Sequence, residues 1–271
     1  TVIDPEVIFA TYSGSSVDNF GFTATFDDDG NLYAGGIATS PIRFNSGRYP
    51  ATPGAFQVTY NGGDENNLTS LPCDMSISKY TKSGNQLIYA TYLGGGTNEF
   101  PHSLIVDNYG QLIVFGTSSS TNYPTTLGAI QETKKESLYV FQKNAYDLVL
   151  TKFNSTGTGL IGSTYLGGTE DDGLNSNKNT SYFYADDFRG EVNLDKDDNI
   201  YVASVTVSNN FPTRNGFQNF NAGNQDGVVF STNSTLTNLR WSTYLGGTGD
   251  DAAYSIDIAK NGEVVVAGGT S

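Results

Sequence analysis

The residues with the most chemical potential in this sequence are paired aspartates in a repeated stretch. TYLGGTEDD begins at Thr164 and TYLGGTGDD begins at Thr243. Asp171 and Asp172, and likewise Asp250 and Asp251, follow glycines that already make a bend. Their carboxylates can orient loop amides or coordinate a hard cation such as calcium through oxygen. Because the corresponding places elsewhere read SSVDN and GTNEF, the pattern favours a structural role and leaves a metal site as the weaker alternative.

A second acidic stretch, FDDDGNLYAGG, runs from Phe26 and contains Asp27, Asp28 and Asp29. An EF-hand calcium loop places glycine sixth and glutamate twelfth, whereas here Gly30 is fourth and the twelfth residue is Ala38. Aspartate and glycine are also the residues that hairpin turns select. The stretch therefore predicts a turn rather than a calcium loop.

The residues that catalysis usually needs are scarce. His102 is the single histidine and Cys73 the single cysteine. A histidine metal site needs more than one imidazole, and nothing near His102 resembles a nucleophile elbow. The sequence therefore predicts a protein that is not an enzyme and needs no cofactor. Paired carboxylates for glycoside hydrolysis stay open as an alternative, since 28 acidic residues offer many pairs.

Charge and composition narrow the class of protein. The net charge of −14 would repel a phosphate backbone, which argues against a nucleic-acid partner. No stretch approaches the roughly 20 apolar residues that cross a bilayer, so we expect no membrane insertion by this chain. Glycine is frequent, at 32 residues, and tyrosine, phenylalanine, valine, isoleucine and leucine dominate the apolar set. This mixture favours short strands joined by tight turns.

The strongest signal is an internal repeat. Its first part is a "TY" stretch, which reads FATYSG, YATYLGG, GSTYLGG and WSTYLGG around Tyr12, Tyr92, Tyr165 and Tyr244. Its second part reads as strand, polar turn, strand, which predicts a hairpin. The polar turns begin at Asp27, Asp107, Asp195 and Ala259. The third copy carries a longer connection between these two parts, around NSNKNTSYFYADD.

The repeat continues with a proline- and glycine-containing connection, YPATPGAFQ, YPTTLGAIQ or FPTRNGFQ. An aspartate-led strand follows, which reads DMSISKY, DLVLTKF or DGVVFST from Asp74, Asp147 and Asp226. The interval from this aspartate to the next repeat tyrosine is identical in all three copies, from Asp74 to Tyr92, from Asp147 to Tyr165 and from Asp226 to Tyr244. This constant spacing predicts one hairpin of fixed length.

Four short strands per unit, repeated without helices between them, predict an all-β fold, a β-propeller of four-stranded antiparallel blades. The chain would be a single propeller domain, 1–271, or part of one. Its units would be approximately 9–88, 89–161, 162–240 and a partial 241–271, about three and a half in all. Since propellers typically close with four to eight blades, we expect an incomplete ring that belongs to a longer polypeptide or a larger complex.

These motifs resemble a known family. TYLGGTGDD with SIDIAKNGEVVVAGGTS, and the YPTT and Asp-led stretches, are similar to the SBBP family of bacterial β-propeller repeats. The resemblance covers nearly the whole chain and departs from the family pattern at the insertion after Asp172 and at Ala259. It implies a secreted, cell-surface or outer-membrane-associated protein. It implies no reaction.

The insertion in the third copy carries Tyr182, Phe183 and Tyr184 among asparagine, serine and aspartate. Aromatic rings flanked by polar residues suit recognition of a protein or a glycan, although the same rings could instead pin the long loop to its blade. The sequence therefore predicts a non-catalytic surface module for protein or glycan binding, adhesion or assembly at the cell envelope. The alternative is a carbohydrate-active enzyme using paired carboxylates on a propeller face.

Overall fold

The computed structural model of this chain describes residues 7–39, 48–62, 72–136, 145–175, 180 and 187–271. These residues form four antiparallel sheets. Sheet 1 contains β1 (Asn19–Phe26), β2 (Leu32–Thr39), β3 (Cys73–Tyr80) and β4 (Leu87–Leu93). Sheet 2 contains β5 (Glu99–Val106), β6 (Leu112–Ser118), β7 (Asp147–Phe153) and β8 (Leu160–Leu166). Sheet 3 contains β9 (Glu191–Leu194), β10 (Ile200–Thr206), β11 (Asp226–Thr232) and β12 (Leu239–Leu245), and sheet 4 contains β13 (Asp251–Ile258) and β14 (Val264–Thr270).

Strands in each sheet pair with their neighbours along the chain, so every connection within a sheet is a hairpin or a loop between adjacent antiparallel strands. The first hairpin of each sheet turns at a residue with positive φ, two positions before the second strand. Glycine occupies this position in three sheets, at Gly30, Gly110 and Gly262, because it adopts positive φ without steric cost. Asp198 takes the same conformation in sheet 3. The all-β class and the predicted hairpins are therefore confirmed.

The sheets are offset by one strand from the units read in the sequence. We expected each TY stretch to begin a four-stranded unit. Instead, β4 pairs with β3 and is the last strand of sheet 1, and β8 and β12 are the last strands of sheets 2 and 3. The reason is the fixed spacing between the aspartate-led strand and the TY strand, which makes those two strands one hairpin. The first TY stretch, around Tyr12, is not a strand.

The proline-glycine connections cover the outer edge of the fourth strand of their own sheet. The amide of Thr52 donates to the carbonyl of Ala90 in β4 at 2.8 Å, and the amide of Thr126 donates to the carbonyl of Ser163 in β8 at 3.0 Å. In sheet 3, Arg214 and Ser242 exchange two such bonds. An uncovered strand edge is a template for unwanted pairing, so these connections protect the outer edges of sheets 1, 2 and 3.

Consecutive sheets pack face to face and bury the core between them. Sheets 1 and 2 enclose a cluster that includes Met75, Ile77, Val149 and Phe153. Sheets 2 and 3 enclose a second cluster, and sheets 3 and 4 a smaller one that includes Ile256. In contrast, most residues of β1 and β14 are partly or fully exposed, because neither strand has a sheet packed on its far face in the described chain. Among the described residues no helix is long and apolar enough to cross a membrane.

Candidate functional site

Buried carboxyl pairs lie at the junctions between sheets. Asp74 of β3 lies beside Glu99 of β5, and a Cβ atom on the intervening Gly94 would approach their oxygens to 2.6 Å and 2.5 Å. Two further glycines are flanked in the same way, Gly167 by Asp147 and Asp172, and Gly246 by Asp226 and Asp251. The sequence interval between the two members is the same in all three pairs. The first glycine of each of these TYLGG stretches lies between the acids because only glycine leaves room for two carboxyl groups there.

Backbone and hydroxyl donors hold the second acid of each pair. Glu99 Oε2 accepts the amide of Gly95 at 3.0 Å, Asp172 Oδ2 accepts Gly168 at 2.7 Å, and Asp251 Oδ2 accepts Gly247 at 2.7 Å. Ser118 and Ser120 also donate to Glu99, as Thr206 and Ser208 do to Asp172. These carboxyl groups therefore fix the glycine bend that leads from one sheet into the next.

A glutamine ties the first acid of each pair to the same bend. Gln57 Nε2 donates to Asp74 Oδ2 at 3.1 Å, while its Oε1 accepts the amide of Gly94 at 3.1 Å. Gln131 and Gln218 make the corresponding two bonds in sheets 2 and 3. Sequence reasoning missed these glutamines, although each ends a proline-glycine connection. It also missed the carboxyl pairs, for which the constant interval between the paired acids was the available signal.

Burial raises the pKa values of these acids, so they keep their protons at a higher pH than exposed carboxyl groups do. It raises the pKa of Asp74 to about 8, with Glu99 beside it adding to the rise, and it raises the pKa of Glu99 to about 7. Burial raises the pKa of Asp147 to about 7, and burial together with the charge of Asp147 raises the pKa of Asp172 well above its ordinary value. Two like charges in one buried site cannot both form cheaply. These two pairs therefore retain protons near neutral pH.

The aspartates predicted as weak metal ligands divide between two structural tasks. Asp172 and Asp251 belong to the carboxyl pairs. Asp171 and Asp250 hold loops, since the Asp171 carboxylate accepts the amide of Tyr146 at 2.8 Å and the backbone amide of Asp250 donates to the Ser271 hydroxyl at 2.9 Å. Within the described ranges, no group of three or more histidine, cysteine, aspartate or glutamate residues is arranged to hold a metal ion. Calcium binding stays a prediction that these contacts do not favour.

The acidic hairpin turns use their first aspartate to hold the turn. Asp27 accepts the amide of Asn31 at 2.8 Å, as Asp107 accepts Gln111 and Asp195 accepts Asn199. Each of these carboxylates also pairs with a lysine or arginine side chain of its own sheet. Lys79 lies 3.2 Å from Asp27, Lys152 lies 2.7 Å from Asp107, and Arg240 lies 3.7 Å from Asp195. Ala259, at the corresponding place in sheet 4, has no carboxylate to offer.

The first strands of all four sheets line one cavity of about 760 Å³. Phe22 and Thr23 come from β1, His102 and Ser103 from β5, and Glu191 from β9; the remaining lining residues are Arg189, Gly190, Tyr254, Ser255, Ala267, Gly268, Gly269 and Thr270. Glu191 accepts hydrogen bonds from Ser255 and from the amide of Ile256, which join sheet 3 to sheet 4. This cavity combines aromatic rings, hydroxyl groups and charges in the manner of ligand sites.

The long insertion of the third copy begins and ends beside this cavity. Asn175 donates to the Tyr254 hydroxyl at 3.1 Å, and that hydroxyl donates to the carbonyl of Thr180 at 2.9 Å. At the other end, the Phe188 ring stacks on Phe100 with 4.0 Å between ring centroids. The predicted binding residues Tyr182, Phe183 and Tyr184 lie outside the described residues, so their role stays a prediction.

The two residues considered for nucleophilic chemistry are both buried. His102 Nε2 lies 3.3 Å from the Thr117 hydroxyl, its ring packs edge-on against Phe115, and burial lowers its pKa to about 3. Burial raises the pKa of the Cys73 thiol, which lies near the Glu99 carbonyl. His102 is therefore neutral at ordinary pH, and Cys73 is a thiol rather than a nucleophilic thiolate.

Comparison with known protein families finds no family model that matches this chain, and comparison with curated proteins finds no match.

Proposed function

We propose that this chain is a β-propeller of the SBBP repeat type that acts as a non-catalytic, secreted or cell-surface binding module for a protein or a glycan. The single observation that carries the proposal is the cavity shared by β1, β5, β9 and β13. Sheets that repeat in chain order and turn their first strands toward one common space are the parts from which a propeller is built. A concave site where several elements converge is also the usual place for a ligand.

The lining of the cavity supports binding rather than hydrolysis. Glycosidases usually need two carboxyl groups that flank the scissile bond. Among the described residues that line this cavity, Glu191 is the one carboxylate, and its bonds to Ser255 and Ile256 hold β13. The carboxyl pairs elsewhere are no substitute, because Asp251 is only 6% exposed and the other five acids have no exposed surface for a substrate; these five are Asp74, Glu99, Asp147, Asp172 and Asp226. The carbohydrate-active alternative therefore has less support.

Phe22 provides the test of the binding proposal. Its side chain lines the cavity and is 38% exposed, whereas Phe26 on the same strand is 74% exposed and does not line it. We expect Phe22→Ala to weaken binding of an immobilised array of envelope glycans and envelope proteins by about tenfold, as loss of an aromatic contact typically does. Phe26→Ala is the matched control and should leave binding unchanged, with both variants checked for unaltered thermal unfolding.

The same preparation separates the two functions. The purified chain should release no reducing sugar from envelope polysaccharides. Hydrolysis that disappears in Glu191→Gln would favour the enzyme. Binding that neither Phe22→Ala nor Phe26→Ala changes would show that the cavity is not the binding site.

A further inference from the structure

A β-bulge recurs in the first strand of the sheets at one place in the repeat. The pairing of β1 with β2 skips Phe22, that of β5 with β6 skips His102, and that of β13 with β14 skips Tyr254. Each skipped residue lies at the same interval before the polar turn of its hairpin. In sheet 3 this place is held by Gly190, which directly precedes β9. All four residues line the cavity of about 760 Å³.

A glycine on the second strand makes room for each bulge. Gly36, Gly116 and Gly268 lie opposite the residue before the bulge, and a Cβ atom at any of them would collide with a carbonyl oxygen of the first strand. Their counterpart in sheet 3 is Ser204, and there β9 pairs with β10 from Glu191 onward without a shift of register. Because bulges commonly turn a side chain toward a functional site, these glycines mark the cavity as more than a gap between sheets.

The residue that follows each bulge brings a polar group to the same cavity. These residues are Thr23, Ser103 and Ser255, and Glu191 is their counterpart in sheet 3; we call the four the polar set. Oε2 of Glu191 accepts the Ser255 hydroxyl and the amide of Ile256. Within the described chain, the hydroxyl groups of Thr23 and Ser103 make no hydrogen bond, and nothing donates to Oε1 of Glu191. Three sheets therefore turn polar atoms with unused bonding capacity into one cavity.

The chemistry of these groups matches a neutral sugar. A serine or threonine hydroxyl both donates and accepts, as sugar hydroxyls do, and a carboxylate oxygen accepts a sugar hydroxyl in a charge-assisted bond. Phe22 and Tyr254 add aromatic rings, against which the apolar face of a sugar ring packs. Among the described lining residues, the charges of Arg189 and Glu191 are opposite and cancel. The net charge of −14 also repels an acidic ligand.

We propose that the cavity binds a neutral oligosaccharide a few sugar rings long, and that the polar set selects the sugar. This inference rests on the proposed binding function and narrows its ligand from a protein or glycan to a neutral glycan. The cavity volume falls within the roughly 300–1,000 Å³ of small-ligand pockets. A protein partner would instead need a contact patch of roughly 800 Å² on each side. A recess between strands suits the narrower ligand.

Calorimetric titration of the purified chain with neutral gluco-, manno- and galacto-oligosaccharides, from tri- to pentasaccharides, tests the ligand class. We expect at least one of them to bind, and its uronic acid counterpart to bind several-fold more weakly because the acidic chain repels added carboxylates. Deglycosylated envelope proteins, immobilised on the same scale, are the competing probe and should not bind through the cavity.

Glu191→Gln tests the carboxylate of the polar set. The amide keeps one oxygen for Ser255 and Ile256 but offers the sugar no charged acceptor. We expect oligosaccharide binding to weaken by about tenfold, since a hydrogen bond to a charged group is about twice as strong as a neutral one. Glu263→Gln makes the same chemical change at an exposed residue outside the cavity and should leave binding unchanged.

Ser103→Ala tests a hydroxyl of the polar set that holds no other part of the described chain. Thermal unfolding should therefore stay unaltered, while oligosaccharide binding weakens by about fivefold, as loss of one hydrogen bond typically does. Ser155→Ala, at an exposed turn outside the cavity, is the matched control and should change neither.

The outcomes separate this inference from the proposed function. Binding of a deglycosylated protein that Phe22→Ala weakens, with no binding of any neutral oligosaccharide, would overturn the inference and keep the function. Tighter binding of the uronic acid form would do the same. Oligosaccharide binding that neither Glu191→Gln nor Ser103→Ala weakens would show that the polar set does not select the sugar. Absence of any binding that depends on Phe22 would overturn both.

Discussion

At the scale of single residues, the carboxyl pairs are the feature that most distinguishes this chain. Asp74 and Glu99 lie fully buried on adjacent sheets and share one glycine bend. Sequence reasoning singled out Asp172 and Asp251 for their chemistry, but it did not find the acids that they pair with. The reason is that each pair forms where two sheets meet. The alternation of residues within one strand does not predict which residues of the next sheet that strand will contact.

The raised pKa values predict a pH dependence of stability. The folded pKa values of Asp74 and Glu99, about 8 and about 7, lie above the ordinary 3.8 and 4.5. The folded chain therefore binds these protons more tightly than the unfolded chain. The stability they contribute is fully present below about pH 4 and is lost as the pH rises through 7 to 8.

Asp74→Asn keeps the shape of the side chain and cannot ionise. We expect it to raise the free energy of unfolding at pH 8.5 by about 1–2 kcal/mol relative to the original chain, and to change it little at pH 4.5. Urea denaturation across this range measures the difference. Asp28→Asn removes one exposed charge and is the control for net charge. If the free energy of unfolding depended on pH in the same way for Asp74→Asn and the original chain, Asp74 would not be a carboxyl group that retains its proton in the folded state.

At the scale of elements, the fourth strand of each sheet and the connection that covers it form one unit. The Tyr165 hydroxyl donates to the Ser120 carbonyl at 2.7 Å and accepts the amide of Tyr123 at 2.9 Å. Tyr244 makes the same two bonds, to Ser208 and Phe211. The hydroxyl of the recurring tyrosine therefore links β8, and likewise β12, to the proline-glycine connection of the same sheet by hydrogen bonds.

Removing that hydroxyl should loosen the unit. Tyr165→Phe leaves a buried amide and a buried carbonyl without this partner, so we expect the free energy of unfolding to fall by about 1–2 kcal/mol. Tyr12→Phe makes the same chemical change at a ring that is 96% exposed, and it should have no measurable effect. Denaturant unfolding of both variants tests this. Equal effects at the two positions would mean that the hydroxyl bonds of Tyr165 contribute nothing.

The elements were readable from the sequence to different degrees. Alternating apolar residues and polar turns rich in aspartate and glycine predicted the hairpins, and the constant interval from Asp74 to Tyr92 and its counterparts predicted the β3–β4 pair. The sequence units begin at the TY strand, whereas the sheets end with it. Sequence alone does not locate this boundary, because a repeat has the same pattern from any starting residue. Only the hydrogen bonds of β4 to β3 decide it.

At the scale of the whole molecule, the described residues form three four-stranded sheets and one two-stranded sheet that succeed each other in chain order. Their faces pack in series, and their first strands line one cavity. This arrangement explains why the repeat tolerates a long insertion in one connection and none in the hairpin of the third and fourth strands. The turn of this hairpin bonds to the preceding sheet's proline-glycine connection, since the amide of Phe56 donates to the carbonyl of Gly157 and the amide of Ile130 to that of Leu236. The insertion of the third copy instead leaves and rejoins the fold beside the cavity. Binding at that end of the molecule would use the part of the repeat that is free to vary.

The most direct test of the propeller proposal is a crystal structure of this chain. We expect β1, β5, β9 and β13 to surround one cavity lined by Phe22, His102 and Glu191, and Asp74 to meet Glu99 where sheets 1 and 2 join. A structure in which the sheets stack as two layers, with the first strands lying apart and no shared cavity, would contradict it.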